Sequence, residues 1–230
     1  MNRAQIKLGP FEVFASTVGG VPLVAAGLLL FADSRTAPQV FGGIIDAPLT
    51  SALLLLLLCY IAGTALSNLS WRFFRRICSL LSLDYRYLRD VVLEDAANSE
   101  DQISVQIVPM ISDKFGAPFN RNSLDARVRA YLVEHNRAEV LALAEMHQAL
   151  HIMARNLSLG FVVLAVALAF NATQSSSWSY LTLVSVAASL AAASMTLLRA
   201  ASFKLWHSRG LLLGFYFAET EMRLANPPDG

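Results

Sequence analysis

Four long apolar runs constrain this chain more than any other feature of its sequence. The runs are Phe11 to Ala32, Ala47 to Leu69, Leu157 to Ala172 and Trp178 to Leu198. A helix rises about 1.5 Å per residue, so about 20 apolar residues cross the hydrocarbon core of a bilayer. The chain is 55% hydrophobic and 15% charged, which is more apolar and less charged than a typical soluble domain. The pattern predicts an all-α integral membrane protein with four transmembrane helices.

The positions of the runs also predict the domain boundaries. Residues 1–71 and 156–198 form two transmembrane hairpins, with spans at about 11–32, 47–69, 156–172 and 178–198. The remaining segments are long helical extensions that form a cytoplasmic helical domain. They comprise residues 72–155, with a long helix over 123–155, and a C-terminal helix and tail over 199–230.

Arginine positions predict the orientation of the chain. Three arginines follow the second run and Arg155 precedes the third, whereas the loop over residues 171–179 carries no charge. Basic residues near membrane ends stay on the cytoplasmic side. We therefore expect a multi-pass protein of a bacterial inner membrane, with both termini in the cytoplasm.

Three features of the predicted spans suggest specific roles. Gly19, Gly20 and Pro22 lie in the middle of the first span, where they favour either a hinge or a packing bend. The fourth span has small residues at three- and four-residue spacing, which is typical of helix packing or an oligomer interface. These residues are Ser185, Ala188, Ser189, Ala192, Ala193 and Thr196. An interfacial anchor is predicted just after the second span, formed by Trp71, Arg72, Arg75 and Arg76.

Secondary structure in the polar segment follows from its apolar pattern. Ile103, Val105 and Ile107 alternate with polar residues, which predicts a short strand or extended piece. From Ser123 to about Asn171 no proline occurs, and we expect one unbroken helix.

Histidines provide the candidate switch and metal sites. His135 and Glu139, one turn apart on the predicted helix, would form a gating pair, half of a metal site, or a contact that sets helix register. His147 and His151 have the spacing of a two-histidine metal clamp, but no third ligand is evident near them. The sequence predicts no cofactor.

Arg129 and His135 form an R-x5-H pattern, which resembles the catalytic signature of HEPN ribonucleases. The resemblance covers two residues and implies a membrane-tethered ribonuclease with Arg129 and His135 as its catalytic residues. No glycine-rich phosphate loop or paired carboxylates support another enzymatic activity.

Three functions remain as hypotheses. The first is a homo-oligomeric channel or pore-like effector gated through its cytoplasmic domain by a ligand or partner. Its plan is similar to that of small multi-pass effectors of prokaryotic anti-phage immunity. The second is a non-conducting membrane scaffold that recruits a cytoplasmic protein, and the third is the ribonuclease. Charged residues are absent from the middle of all four runs, which argues against an ion-coupled pump.

Overall fold

The computed structural model of the protein describes residues 10–31, 49–83, 102–116 and 121–225. All elements within these residues are α-helices: α1 (Pro10–Phe31), α2 (Leu49–Leu80), α3 (Gln102–Phe115), α4 (Arg121–Glu134), α5 (Ala138–Gln174) and α6 (Tyr180–Ala225). Helices α1, α2, α5 and α6 are long and apolar enough to cross a membrane. The prediction of an all-helical chain with four such helices is confirmed for this part of the molecule.

The chain divides into two compact units. The first unit consists of Met1–Leu83 and Ala149–Ala200, and the second consists of Asp84–Gln148 and Ala201–Gly230. Each of the helices α5 and α6 contributes residues to both units. The predicted beginning of the second span at Ala47 and the tail from Asn226 lie outside the described residues.

Glycines allow α1 and α2 to pack backbone against backbone in the first unit. A Cβ atom added to Gly20 would overlap the Cys59 carbonyl oxygen, and one added to Gly63 would overlap the Ser16 carbonyl oxygen. Only glycine permits this approach, because any side chain would force the helices apart. Close backbone approach is how helices gain dispersion contacts where lipid removes the hydrophobic drive.

The second unit has a core of aliphatic and aromatic side chains. Its buried members come from α3, α4, α5 and α6 and are Ile107, Ile111, Leu124, Val128, Tyr131, Leu132, Ala144, Leu211, Leu212, Phe215 and Ala218. The rings of Tyr131 and Phe215 meet edge to face, with their centroids 5.0 Å apart. This packing is typical of a helical domain with a hydrophobic core of its own.

The predicted strand around Val105 is wrong, because residues 102–115 form α3. Ile107 and Ile111 are both buried in the core of the second unit, whereas Val105 is exposed. Their four-residue spacing places them on one face of a helix, and burial of that face outweighs the local alternation of apolar and polar residues.

The predicted unbroken helix over 123–155 is also wrong, because it is interrupted at residues 135–137. Asn136 adopts a left-handed conformation with a φ of 54°. The amide of Arg137 then donates to the Leu132 carbonyl at 2.9 Å, and the amide of Asn136 donates to the Val133 carbonyl at 3.1 Å. These bonds form a Schellman motif, in which asparagine is the usual substitute for glycine. Helix α4 therefore ends without any glycine or proline.

Substitution of Gly63 tests the close contact of α1 with α2. We expect Gly63→Ala to lower the free energy of unfolding by about 1–3 kcal/mol, the typical cost of overpacking. The measurement is the thermal unfolding midpoint of the purified protein in detergent. Gly27→Ala is the matched control, because no atom lies within 4 Å of the position that its Cβ would occupy. An equal midpoint for the two variants would contradict the proposed packing.

Candidate functional site

Buried and half-buried polar side chains of α5 form a cluster in the first unit, which we call the α5 polar cluster. Its members are His151, Arg155, Asn156 and Ser158 on α5, with Ser67 and Ser70 on α2. His151, Asn156, Ser158 and Ser70 are at most 1% exposed. Polar groups this deep in a largely apolar unit require partners, and the cluster supplies them.

Asn156 satisfies both ends of its amide on α2. Its Nδ2 donates to the Gly63 carbonyl at 3.0 Å, and its Oδ1 accepts a hydrogen bond from the Ser70 hydroxyl at 2.5 Å. On the side of α1, a Cβ added to Gly19 would stand 2.7 Å from the Cβ of Asn156. The amide thus fixes the register of α5 against α2, while Gly19 leaves room for it.

Arg155 lies beside α2, where its guanidinium meets a hydroxyl and an indole ring. Its Nη2 donates to the Ser67 hydroxyl at 2.9 Å, and its Cζ stands 5.3 Å from the centroid of the Trp71 ring. A guanidinium over an aromatic face is a cation–π contact, which strengthens as water is excluded.

His151 and Ser158 connect α5 to α6. The Nδ1 atom of His151 lies 2.9 Å from the Ala200 carbonyl, and the Ser158 hydroxyl donates to the Ala193 carbonyl at 2.8 Å. The His151 ring packs edge to face on Phe74, at 5.0 Å between centroids. Since a carbonyl only accepts, Nδ1 of His151 carries the proton.

A second polar cluster surrounds Glu219 in the second unit. Its Oε2 accepts from the Tyr131 hydroxyl at 2.7 Å, and its Oε1 accepts from Arg223 Nε at 3.1 Å. Burial raises the pKa of Glu219, but the hydrogen bonds from Tyr131 and Arg223 outweigh it, so that the pKa lies below its usual value. Burial and the neighbouring Glu219 both raise the pKa of Tyr131.

His207 is the centre of a third cluster, also in the second unit. Its Nδ1 lies 2.8 Å from the Ala144 carbonyl and therefore donates to it. Its Nε2 lies 3.3 Å from Arg129 Nη2 and 3.9 Å from Asp125 Oδ2. Burial raises the pKa of Asp125, but the His207 hydrogen bond and the neighbouring cations lower it below its usual value.

Arg129 and His135, the predicted ribonuclease pair, have different neighbours. Arg129 contacts His207, whereas His135 stacks on the Tyr131 ring at 4.0 Å between centroids and reaches Met222 Sδ at 3.1 Å. Helix α4 ends at Glu134, so that only Arg129 lies within it. The ribonuclease hypothesis stays a prediction from sequence.

The helical spacing assumed for His135 and Glu139 is wrong. His135 lies in the turn that ends α4, and Glu139 lies in the first turn of α5. His135 is half-buried, but Glu139 is exposed. The Schellman turn at Asn136 separates the two residues, so they do not form a buried pair one turn apart.

His147 and His151 each lie beside aromatic rings. The His147 ring is 5.8 Å from Trp206 between centroids, and burial together with the charge of His207 lowers the pKa of His147. The Nδ1 atom of His151 donates a hydrogen bond to the Ala200 carbonyl. Among the described residues, no three histidine, cysteine, aspartate or glutamate side chains group in a way that could hold a metal ion.

Residues from two predicted features, the small-residue stripe of α6 and the glycine–proline group of α1, take part in packing within the protomer. Ser189 and Ala193 are buried, and the Ala193 carbonyl accepts from Ser158, whereas Ala188 is exposed. Gly19 and Gly20 lie at the contacts of α1 with α5 and α2, and Pro22 packs on Gly160. The packing interpretation of Gly19, Gly20 and Pro22 is thus favoured, while a hinge there stays a prediction.

The predicted interfacial anchor consists of one half-buried tryptophan and three exposed arginines. Trp71 is half-buried and stacks on Phe74, with 5.9 Å between ring centroids, whereas Arg72, Arg75 and Arg76 are exposed. Elsewhere in the first unit, α1 and α2 enclose an apolar groove of about 560 Å³. The groove is lined by Leu23, Val24, Gly27, Leu28, Leu58, Ile61 and Ala62 and offers no polar side chain for catalysis.

Sequence reasoning missed Asn156, Ser70, Glu219 and His207. Asn156 had a signal, since an amide at the edge of an apolar run must find hydrogen-bond partners. Its partners on α2 are far away in the sequence, so only the fold could name them. The chain has no match among protein-family models, curated proteins or solved structures.

Removal of the Asn156 amide tests the α5 polar cluster. Asn156→Leu removes the hydrogen bonds with the Gly63 carbonyl and the Ser70 hydroxyl, although Ser70 can still donate to the Ser67 carbonyl. Each lost hydrogen bond costs about 0.5–1.5 kcal/mol. We expect a clear fall in the thermal unfolding midpoint in detergent. Asn171→Leu is the control, because Asn171 is exposed and its hydrogen bond to the Leu29 carbonyl is long, at 3.4 Å. If both variants unfold at the same temperature, Asn156 does not fix the packing.

The lowered pKa of Glu219 predicts acid sensitivity of the second unit. A folded-state pKa below the ordinary value of 4.5 means that ionised Glu219 stabilises the fold above that pH. The stabilisation is lost as pH falls below about 4.5, because the carboxylate must take up a proton. We expect Glu219→Gln to unfold at a temperature that depends less on pH between 6 and 3.5 than wild type does. Glu145→Gln, at an exposed position, should retain the wild-type dependence.

Proposed function

We propose that this chain is an integral membrane protein with four transmembrane helices in two hairpins and cytoplasmic termini. The carrying observation is the leucine surface of α2, whose members are between 52 and 59% exposed: Leu53, Leu54, Leu56, Leu57 and Leu58. An apolar surface of this extent is unfavourable in water and matches the hydrocarbon core of a bilayer. The positions of the arginines support a cytoplasmic second unit and, in a bacterium, the inner membrane.

Within that membrane the chain acts as a homo-oligomeric, channel-like effector. Support comes from the outward face of α6, where small residues are exposed: Ala187, Ala188, Ala191 and Ser194. Small residues let helices of neighbouring subunits approach closely in lipid. Of the stripe predicted from sequence, Ser189 and Ala193 are buried inside the protomer, whereas Ala188 lies on this outward face. Ala187, Ala191 and Ser194 extend that face beyond the predicted stripe.

Gating is carried by the helices that both units share. Since α5 and α6 run without interruption through both units, a ligand or partner that shifts α5 in the second unit also moves α5 in the first. Such a ligand acts by binding one arrangement of these helices more tightly than the other. We group the protein by analogy of plan with the small multi-pass effectors of prokaryotic anti-phage immunity.

A non-conducting scaffold that recruits a cytoplasmic protein is the second candidate. The polar groups of the α5 polar cluster favour it, because Asn156, Ser158 and Arg155 bond within the protomer. A water-filled pore would need polar groups that face its axis instead.

Two measurements test the proposal, namely the subunit number in nanodiscs by native mass spectrometry and the ion flux from proteoliposomes. A ring of four or more subunits that conducts is the expected result. Ala191→Phe should disrupt the oligomer and abolish flux, because the phenyl group would occupy the space where helices of neighbouring subunits approach closely. Leu190→Phe is the control, since it exchanges one large side chain for another on the same exposed surface. A tight liposome with monomeric or dimeric protein would support the scaffold instead.

A further inference from the structure

Arg155 has an unusual environment for a half-buried cation. Its contacts among the described residues are the Ser67 hydroxyl and the face of Trp71, while its Nε atom is buried and makes no hydrogen bond there. None of these groups carries a negative charge. A guanidinium has five N–H donors, so Ser67 leaves most of its hydrogen-bonding capacity unused.

Such a cation normally requires an anion. Removal of a guanidinium from water costs several kcal/mol unless a negative group offsets the loss of hydration. No ion pair of Arg155 with aspartate or glutamate exists within the described parts of the chain. The anion that completes this environment can therefore be supplied from outside the protein.

The position of Arg155 indicates where that anion comes from. Arg155 comes two residues before the apolar run that starts at Leu157, and Ser67 lies near the end of the run that stops at Leu69. Both therefore lie at one end of a spanning segment, where phospholipid headgroups are found.

The neighbouring surface of α2 has the same character. Ser67, Trp71 and Arg75 recur every four residues and so share one face of the helix, and Arg75 is exposed. Basic pockets between transmembrane helices on the cytoplasmic side are typical binding sites for anionic headgroups.

We propose that Arg155, positioned by Ser67 and Trp71, binds the phosphate group of an anionic phospholipid. Arginine presents its donors in a planar fork that matches two phosphate oxygens. The Trp71 ring contacts one face of the guanidinium, and the Ser67 hydroxyl orients it by a hydrogen bond. The remaining N–H groups are left for the ligand. Inorganic phosphate has the same chemistry and is the competing source of the anion. The proposal rests on membrane insertion as proposed above.

The test is native mass spectrometry of the full chain released from detergent with phosphatidylglycerol or phosphatidylcholine. Wild type should retain phosphatidylglycerol in preference to phosphatidylcholine. Arg155→Gln should weaken phosphatidylglycerol binding by about tenfold or more, the usual effect of losing charge-assisted hydrogen bonds. Ser67→Ala should weaken it less, and it keeps the test valid if Arg155→Gln does not fold.

Arg76→Gln is the matched control, because it removes the same charge from an exposed position of α2. It should leave the preference for phosphatidylglycerol nearly unchanged. An equal loss in Arg76→Gln and Arg155→Gln would reduce the effect to general surface charge and overturn the proposal. Displacement of phosphatidylglycerol by millimolar inorganic phosphate would overturn the lipid assignment.

Membrane insertion is measured separately, by extraction of cell membranes with alkaline carbonate. Protein that resists extraction but binds both lipids equally would overturn the phosphate site and leave the proposed membrane protein intact. Protein that carbonate releases would overturn both. Resistance to extraction together with the expected lipid preference supports the site.

Discussion

A side-chain amide inside an apolar helical unit must find a partner for its donor and for its acceptor, because no water is at hand. Asn156 finds both on α2, at the Gly63 carbonyl and the Ser70 hydroxyl. Gly63 also receives the backbone of α1, since its missing side chain makes room for Ser16. One glycine thus serves the packing of three helices, and a displacement of α5 along α2 would break the hydrogen bonds of Asn156.

The two units gain stability in different ways. In the first unit, glycines bring backbones into contact and a few polar side chains bond across helices. In the second unit, large side chains such as Phe215 and Tyr131 fill a core, and Tyr131 also donates a hydrogen bond to the Glu219 carboxylate. The first arrangement suits a surrounding of lipid, whereas the second suits water, where burial of apolar area drives folding. This difference supports our proposal that the first unit lies in a membrane and the second outside it.

Local signals predicted the helices well but not the places where they end. A long stretch without proline predicted one helix from Ser123 to about Asn171, yet Asn136 adopts a left-handed conformation that allows a Schellman turn. That turn separates His135 from Glu139, and His135 packs instead on Tyr131 and Met222. Around Val105, apolar and polar residues alternate as in a strand, but the segment is helical because Ile107 and Ile111 are buried on one helix face. In each case a tertiary contact or a turn outweighed a periodicity of a few residues.

The sequence by itself determined that the described part of the chain is helical and that four of its helices are long and apolar enough to cross a membrane. Length and hydropathy of a run are local properties, and they need no knowledge of neighbours. Only the tertiary structure decided which polar residues meet. The partners of Asn156 lie on α2, and those of Tyr131 and Arg129 lie on α6, all of them more than 70 positions away in the chain. Hydrogen bonds and ion pairs depend on distance in space, which a single sequence does not contain.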